Sequence, residues 1–589
     1  MSIFTRSAVS SLAVAARTYG LVIVLAVIAS AALASSAMAV DVQRWQPYDA
    51  AFTATEPANP FTQDFKATVT GPGGISFTSL GFFDGSGTWK IRVGPTTTGT
   101  WSVTTISSNS ALNGRTASFN CIANSDPDVH GGLRVDPQKK NHFIREDGTP
   151  YYLLGYEANW LWAVDQTTFP LSAKVTNFLD QVLVANGFNH VLMNSYAYDT
   201  TWKAGKSESE DWGPPALLPW LGSKGSEDFT RMNLPYWNHY DQLMEAMRQR
   251  GITAHIYIRV HNKPDINIFP ANNSTGDNLW WQWMVARYAA YPNVVFDGAK
   301  EWNYESSVSY KQARLQYIRD NDPYDRLTTA HTDYSTYDNG SYNNVVDFRT
   351  DQKQDTDSAL HQRVISQRQQ RSWPIFNSEP NYEAAADGSR SYGNAAPADQ
   401  VLRSSWAVTM AGGYMAYYYT WTAWDVLRTN ERPIGYTYHR NLGEFFRHTN
   451  YQNLVPSDNL VSNGSYCLAN PGNEYVVYRT NTSAFTLNLT GISGTLPAQW
   501  FNVRTGEQQN IAALGNGTAN LTPPSGWNEV ALRVGGPAWN QQVPTIPTRA
   551  QVTAHFGTHT GDAGYDAVAD GDHDGKVDAL DLSHALRGQ

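Results

Sequence analysis

Asn293-Val294-Val295-Phe296-Asp297-Gly298-Ala299-Lys300-Glu301-Trp302-Asn303 is an apolar run that turns polar at its C-terminal end. A short, continuous apolar run closed by glycine reads as a strand buried on both faces. Helix-length amphipathic segments flank it, Asn278–Ala290 before and Tyr310–Arg319 after. The same alternation continues in both directions. The strand candidates are Tyr152–Gly155, Phe188–Met193, Thr253–Ile258 and Val294–Ala299, then Leu327–Ala330, Val345–Phe348, Ile375–Ser378 and Tyr414–Thr420. Further helices are expected over Ala173–Ala185, Tyr236–Gln249, Ser358–Gln370 and Ala398–Met410, with no clear helix between Ala330 and Val345. Eight strands with mostly helical crossovers predict a (β/α)8 TIM barrel over residues 131–455. The competing open, doubly wound sheet would want a Gly-rich phosphate loop after its first strand, and none is present.

On both sides of the barrel the pattern changes to short strand-like runs punctuated by Gly, Pro and Asn. Phe65–Thr70, Trp89–Val93, Trp101–Ile106 and Thr116–Ile122 predict an N-terminal β-sandwich over residues 40–130. Glu474–Arg479, Phe485–Leu489, Ala498–Asn502 and Trp527–Leu532 predict a second, sandwich-like β-domain over 456–534. A Gly- and Pro-containing linker follows at 535–549, and a short C-terminal module at 550–589.

Composition narrows the function. The 589 residues carry 53 Asp+Glu against 43 Lys+Arg, a formal net charge of −10, so the basic footprint of a nucleic-acid binder is missing. A hydrophobic content of 41% excludes a mostly disordered chain. Cys121 and Cys467 cannot supply a disulfide framework and read as two separate buried thiols. Arg6 and Arg17, the apolar run Leu21–Ala34 and the small-residue site Ala37-Met38-Ala39 read as a secretory signal over residues 1–39. No later stretch is long and apolar enough to span a membrane, so the mature chain is expected to be extracellular or periplasmic.

Near the C-terminus, Asp570, Asp572, Asp574, Asp578 and Asp581 fall at positions 1, 3, 5, 9 and 12 of a calcium-binding loop. Gly575 permits the turn at position 6, and Lys576 would offer its backbone carbonyl at position 7. Calcium is the only cofactor expected; catalysis itself needs none. Asp at position 12 followed by Leu582-Ser583 resembles the dockerin loop, which implies a cohesin-like or cell-surface partner. Dockerins generally carry two such loops, and Gly561–Asp566 does not complete a second.

Active sites of (β/α)8 barrels lie at the C-terminal ends of the strands. Glu301 follows the fourth strand, and Glu379 follows the seventh in Trp373-Pro374-Ile375-Phe376-Asn377-Ser378-Glu379-Pro380-Asn381. Glycosidic cleavage needs one carboxylic acid to protonate the leaving oxygen and one carboxylate to attack carbon or activate water. Glu305 is expected in the first turn of the next helix, and Glu383 as a solvated or rim residue.

Glutamates ending strands four and seven, in an exported barrel between two β-domains, resemble the glycoside hydrolases of clan A. Within that clan the chain is similar to the apiosidase-like secreted hydrolases, whose barrel joins an N-terminal sandwich and a collagen-binding-type C-terminal domain. The resemblance implies a retaining mechanism, with Glu301 as acid/base and Glu379 as nucleophile. Many members have Asn before the acid/base; this chain has Lys300. Other strand-end residues expected to meet substrate are Glu157, Asn194, Tyr196, His261, Asn262 and His331. In strand eight the resemblance makes Trp421 the floor under the sugar, with Trp424 in reserve. Specificity is expected from the Ala197–Pro235 loop with Trp202, Trp212 and Trp220. The expected activity is cleavage of a plant or algal polysaccharide or oligosaccharide. The alternative is a non-catalytic carbohydrate-binding or surface-attachment protein on the same barrel.

Overall fold

The computed structural model describes residues 40–126, 128–198, 214–261, 269–331, 337, 340–389, 395–422, 426–538, 549–559, 562–565, 569 and 577. At its centre eight parallel strands form a nearly closed barrel. In chain order they are Leu154–Glu157, His190–Asn194, Thr253–Tyr257, Val294–Asp297, Thr328–Thr329, Arg349–Asp351, Ile375–Asn377 and Tyr414–Tyr417. Ladders join each strand to the next except the fifth to the sixth, and the first pairs with the eighth through Gly155 opposite Ala416. Gly155 suits this close approach, since a Cβ would stand 3.0 Å from the Ala416 backbone.

The fifth and sixth strands share no ladder and are joined otherwise. Asp347 N–H donates to the Thr328 carbonyl at 2.8 Å. The Thr329 hydroxyl donates to the Phe348 carbonyl, also at 2.9 Å as it lies from the Thr350 hydroxyl. The sixth strand departs from expectation. Val345–Phe348 looks more strand-like, yet the observed strand is the polar Arg349-Thr350-Asp351. Its charges are matched internally: Arg349 Nε lies 2.8 Å from Asp351 Oδ1, and Arg363 Nε 2.9 Å from Asp351 Oδ2. A buried charge is tolerated only when paired in this way. The first strand also sits two residues later than the apolar pattern suggests, which brings Glu157 onto its last position.

Helices 234–248, 275–288, 308–321, 357–370, 398–410 and 435–447 pack outside the barrel. Their N-termini are set locally: Ser274, Ser307 and Thr356 each accept a backbone N–H from the first turn. The N-terminal domain is a seven-stranded antiparallel-rich sheet around Trp89, Trp101 and Phe119. Buried Arg92 anchors it to the barrel helices, bonding Asp49 at 2.7 Å, Asp241 at 3.0 Å and the Arg287 carbonyl at 2.9 Å. The C-terminal β-domain has a six-stranded sheet and a two-stranded one, and meets the barrel through the Trp406–Tyr478 stack. Cys121 and Cys467 are free and buried, one in each β-domain. Among the described residues no helix is long and apolar enough to cross a membrane.

Candidate active site

Three glutamates at or just past strand ends converge, two on Lys300 and two on Gln352. Glu157 ends strand one, Glu301 lies four residues past strand four, and Glu379 two past strand seven. Glu157, Lys300 and Glu379 are essentially sealed, while Glu301 keeps 7% exposure. The Lys300 ammonium bridges two of these carboxylates: Nζ donates to Glu157 Oε1, and to Glu379 Oε1 at 2.7 Å. Lys300 thus sets one positive charge between two of the site's carboxyl groups.

Glu379 is held by donors on both oxygens. Besides Lys300, His331 Nε2 lies 3.2 Å from Oε1, off the line of a straight hydrogen bond. The Tyr382 hydroxyl donates to Oε2, and Gln352 Nε2 donates to it at 3.3 Å. Its backbone N–H is fixed by Asn377 Oδ1 at 3.1 Å. Burial opposes ionisation, but the charge of Lys300 and the His331 contact outweigh it and hold the Glu379 carboxyl well below the usual carboxylate range. Lys300 is itself buried, yet Glu157 and Glu379 keep it firmly protonated.

Gln352 also measures the site. The same Nε2 donates to Glu301 Oε1 at 3.1 Å and to Glu379 Oε2 at 3.3 Å, so those oxygens are separated by no more than the two bonds end to end, 6.4 Å. Glu301 has a left-handed backbone, φ 51° and ψ 49°. For a non-glycine residue this conformation costs about 1–2 kcal/mol and persists only where the surroundings impose it. Here His331 imposes it. Glu301 N–H donates to His331 Nδ1 at 3.0 Å, and Trp302 N–H to the His331 carbonyl at 2.9 Å. Because Nδ1 accepts, a neutral His331 carries its proton on Nε2, facing Glu379.

Glu157 behaves differently. Burial pushes its carboxyl up to about 7, reinforced by the charge of Glu379 and only partly offset by Lys300. The folded protein therefore retains a proton that the unfolded chain releases near 4.5. That stabilisation is complete below the ordinary carboxylate range and is lost as pH rises through about 7. Glu157→Gln keeps an acceptor for Lys300 and removes the titration. Relative to the variant, the wild type is expected to lose about 1–3 kcal/mol of unfolding free energy across this window. Parallel pH–stability curves for the two proteins would contradict the assignment.

The other expected residues differ in their surroundings. Tyr196 is fully buried among Trp162, Trp220, Tyr236 and Phe269, so it belongs to the aromatic core. Trp220 sits in the same core, 4.7 Å from Trp280 between ring centroids. Asn194 is buried at the end of strand two and His261 is half-buried beyond strand three, where burial lowers its pKa to about 4. Trp421 has one ring face covered by the Arg428 guanidinium, 3.5 Å from the centroid. Glu383 is buried rather than solvated; it accepts from the Tyr417 hydroxyl at 2.7 Å and from Gly435 N–H at 3.3 Å. Glu305 precedes the helix instead of opening it, and its carboxylate accepts from Asn272 at 2.7 Å and Ser307 N–H at 2.8 Å. Asn262, Trp424, Trp202, Trp212, the signal segment and the calcium-loop residues Asp570, Asp572, Asp574, Lys576, Asp578 and Asp581 lie outside the described residues.

Gln352 and Tyr382 escape the sequence reading. Gln352 is the first residue after strand six, so misplacing that strand at Val345–Phe348 hides it. Tyr382 lies three residues past Glu379, in a segment whose path the sequence does not reveal.

The nearly closed parallel barrel with carboxylates at its C-terminal rim is a glycoside hydrolase-like fold. Residues 137–455, over half of the chain, match the family described as "Apiosidase-like, catalytic domain". The chain belongs to that family. Residues 451–531 match the "Putative collagen-binding domain of a collagenase", and residues 41–108 a domain family of unknown function. No curated protein matches the chain. Among solved structures, a "putative glycoside hydrolase" from Bacteroides vulgatus is similar at 19% identity with TM-score 0.70, covering 84% of this chain and 100% of its own. A glycoside hydrolase family 5 protein from the same organism is similar at 15% identity with TM-score 0.55, covering 70% of this chain and 95% of its own.

Proposed function

We propose that the chain is a secreted glycoside hydrolase acting on a plant or algal polysaccharide or oligosaccharide by a retaining, two-glutamate mechanism of the clan A type. Glu379 is the nucleophile. Its carboxylate attacks the anomeric carbon while the Glu301 carboxylic acid protonates the departing glycosidic oxygen. In the second step Glu301, now a carboxylate, takes a proton from water; the water oxygen attacks the same carbon and frees Glu379. The observation that carries this reading is the shared Gln352 amide. It bonds one oxygen of each glutamate and so holds the two carboxyl groups around one small space, the arrangement that double displacement needs. The family match supports the carbohydrate substrate. Screening the protein against plant and algal polysaccharides, with analysis of the sugars released, tests the reading; no release from the full panel would contradict it.

Export rests on the signal pattern of residues 1–39. Calcium binding rests on the aspartate spacing from Asp570 to Asp581, and a cohesin-like or cell-surface partner on the dockerin resemblance of that loop. Chelation of the full-length protein is expected to speed proteolysis of the C-terminal module while leaving hydrolysis unchanged. Cleavage rates identical with and without chelator would exclude a structural calcium.

A further inference from the structure

A line of polar side chains runs through the barrel interior beneath the carboxylates. His190 Nε2 lies 3.0 Å from His255 Nδ1, and His255 Nε2 lies 2.9 Å from Asp297 Oδ2. Asp297 Oδ1 accepts two backbone N–H groups, from His331 at 2.8 Å and Ala299 at 3.2 Å. All three side chains are fully buried, and the two rings are walled by Phe376. We propose that Asp297, backed by His255 and His190, is a positioning residue that ties the ends of strands four and five together and so aims Glu301 and Glu379.

The hydrogen bonds define the direction of the relay. With donors on both oxygens, Asp297 is an acceptor, so His255 presents Nε2–H to it and accepts at Nδ1. His190 then donates from Nε2, and its Nδ1 is left as a bare lone pair, with no partner among the described residues. The opposite order would leave a buried N–H at that position, the costlier orphan. Burial pushes both imidazoles toward the neutral form, strongly for His190, where the neighbouring His255 adds to it, and less for His255, where Asp297 opposes it. Asp297 thereby fixes the Ala299 turn that leads into Glu301. It also fixes the His331 backbone, and His331 holds Glu301 N–H and Trp302 N–H while its Nε2 stands 3.2 Å from the nucleophile. One carboxylate in the floor sets the geometry of both reacting groups.

The inference rests on the reading of Glu301 and Glu379 as the catalytic pair, and its test separates the two. Asp297→Asn can still accept the two backbone N–H groups, but its amide N–H meets His255 Nε2–H unless both histidines reverse their tautomers. Expected for Asp297→Asn are a kcat on the order of 10–100-fold lower on an aryl glycoside turned over by the wild type, with KM within about threefold. His255→Gln added to it supplies an acceptor for that amide and is expected to restore part of the kcat. A purely structural role would lower the melting temperature with kcat unchanged, and that result overturns the proposal. Nitrogen NMR of the histidine-labelled protein needs no substrate. It is expected to show His255 protonated at Nε2 in the wild type and at Nδ1 in Asp297→Asn. The same tautomer in both proteins overturns the relay, whereas a wild type inactive on every glycoside overturns the catalytic reading alone.

Discussion

Glu379→Gln is expected to lower kcat by about 10³-fold or more, with substrate binding retained, because no group remains to form the covalent intermediate. The glutamine is nearly isosteric and still offers an oxygen to Lys300, which bonds the native carboxylate at 2.7 Å, so the fold is expected to persist. Glu301→Ala loses acid assistance and is expected to fall by about 10²–10⁴-fold on poor leaving groups. On aryl glycosides with acidic phenols the loss shrinks, since those leaving groups depart without a proton. Added azide is expected to raise turnover in Glu301→Ala by replacing the water that no longer has a base. Near-normal kcat in either variant would sink the two-glutamate assignment.

Lys300→Met carries the second large effect. Lys300 is the cation shared by the buried Glu157 and Glu379 carboxylates. Removing one partner from a buried charge cluster typically costs about 3–5 kcal/mol, which for a domain of this size lowers the melting temperature by roughly 5 °C or more. Glu379 also loses the charge that holds its carboxyl down. The acid limb of the kcat/KM profile is therefore expected to move to higher pH by about 1–2 units. Glu157→Gln in the same chain removes one of the stranded carboxyls and is expected to recover part of the lost stability. An unchanged acid limb in Lys300→Met would mean that Lys300 is not what keeps the nucleophile ionised.

The barrel is legible because most of its strands are apolar and its helices carry a different period. Legibility fails where polar side chains satisfy one another inside the fold. Arg349-Thr350-Asp351 reads as loop until its ion pairs to Asp351 are known. That single displacement conceals Gln352, the residue that spans the candidate pair. Glu301 and Glu379 are visible because a strand-end rule points to them. The partnership of Lys300 with Glu157 joins positions 143 residues apart, which no local pattern encodes. Aromatic residues fare worst: Tyr196 and Trp220 have the chemistry of sugar platforms but fill a core, and sequence alone does not distinguish the two uses. The buried aspartate and histidines at 190, 255 and 297 look like ordinary strand residues until their bonds join.

The stereochemistry of the first product tests the central claim most directly. Proton NMR of a reaction started on a substrate of known anomeric configuration shows which anomer appears before mutarotation. Double displacement through Glu379, with Gln352 keeping the Glu301 and Glu379 oxygens within 6.4 Å, requires the substrate's own configuration to appear first. First appearance of the opposite anomer would mean direct attack by water, and would contradict the assignment of Glu379 as nucleophile.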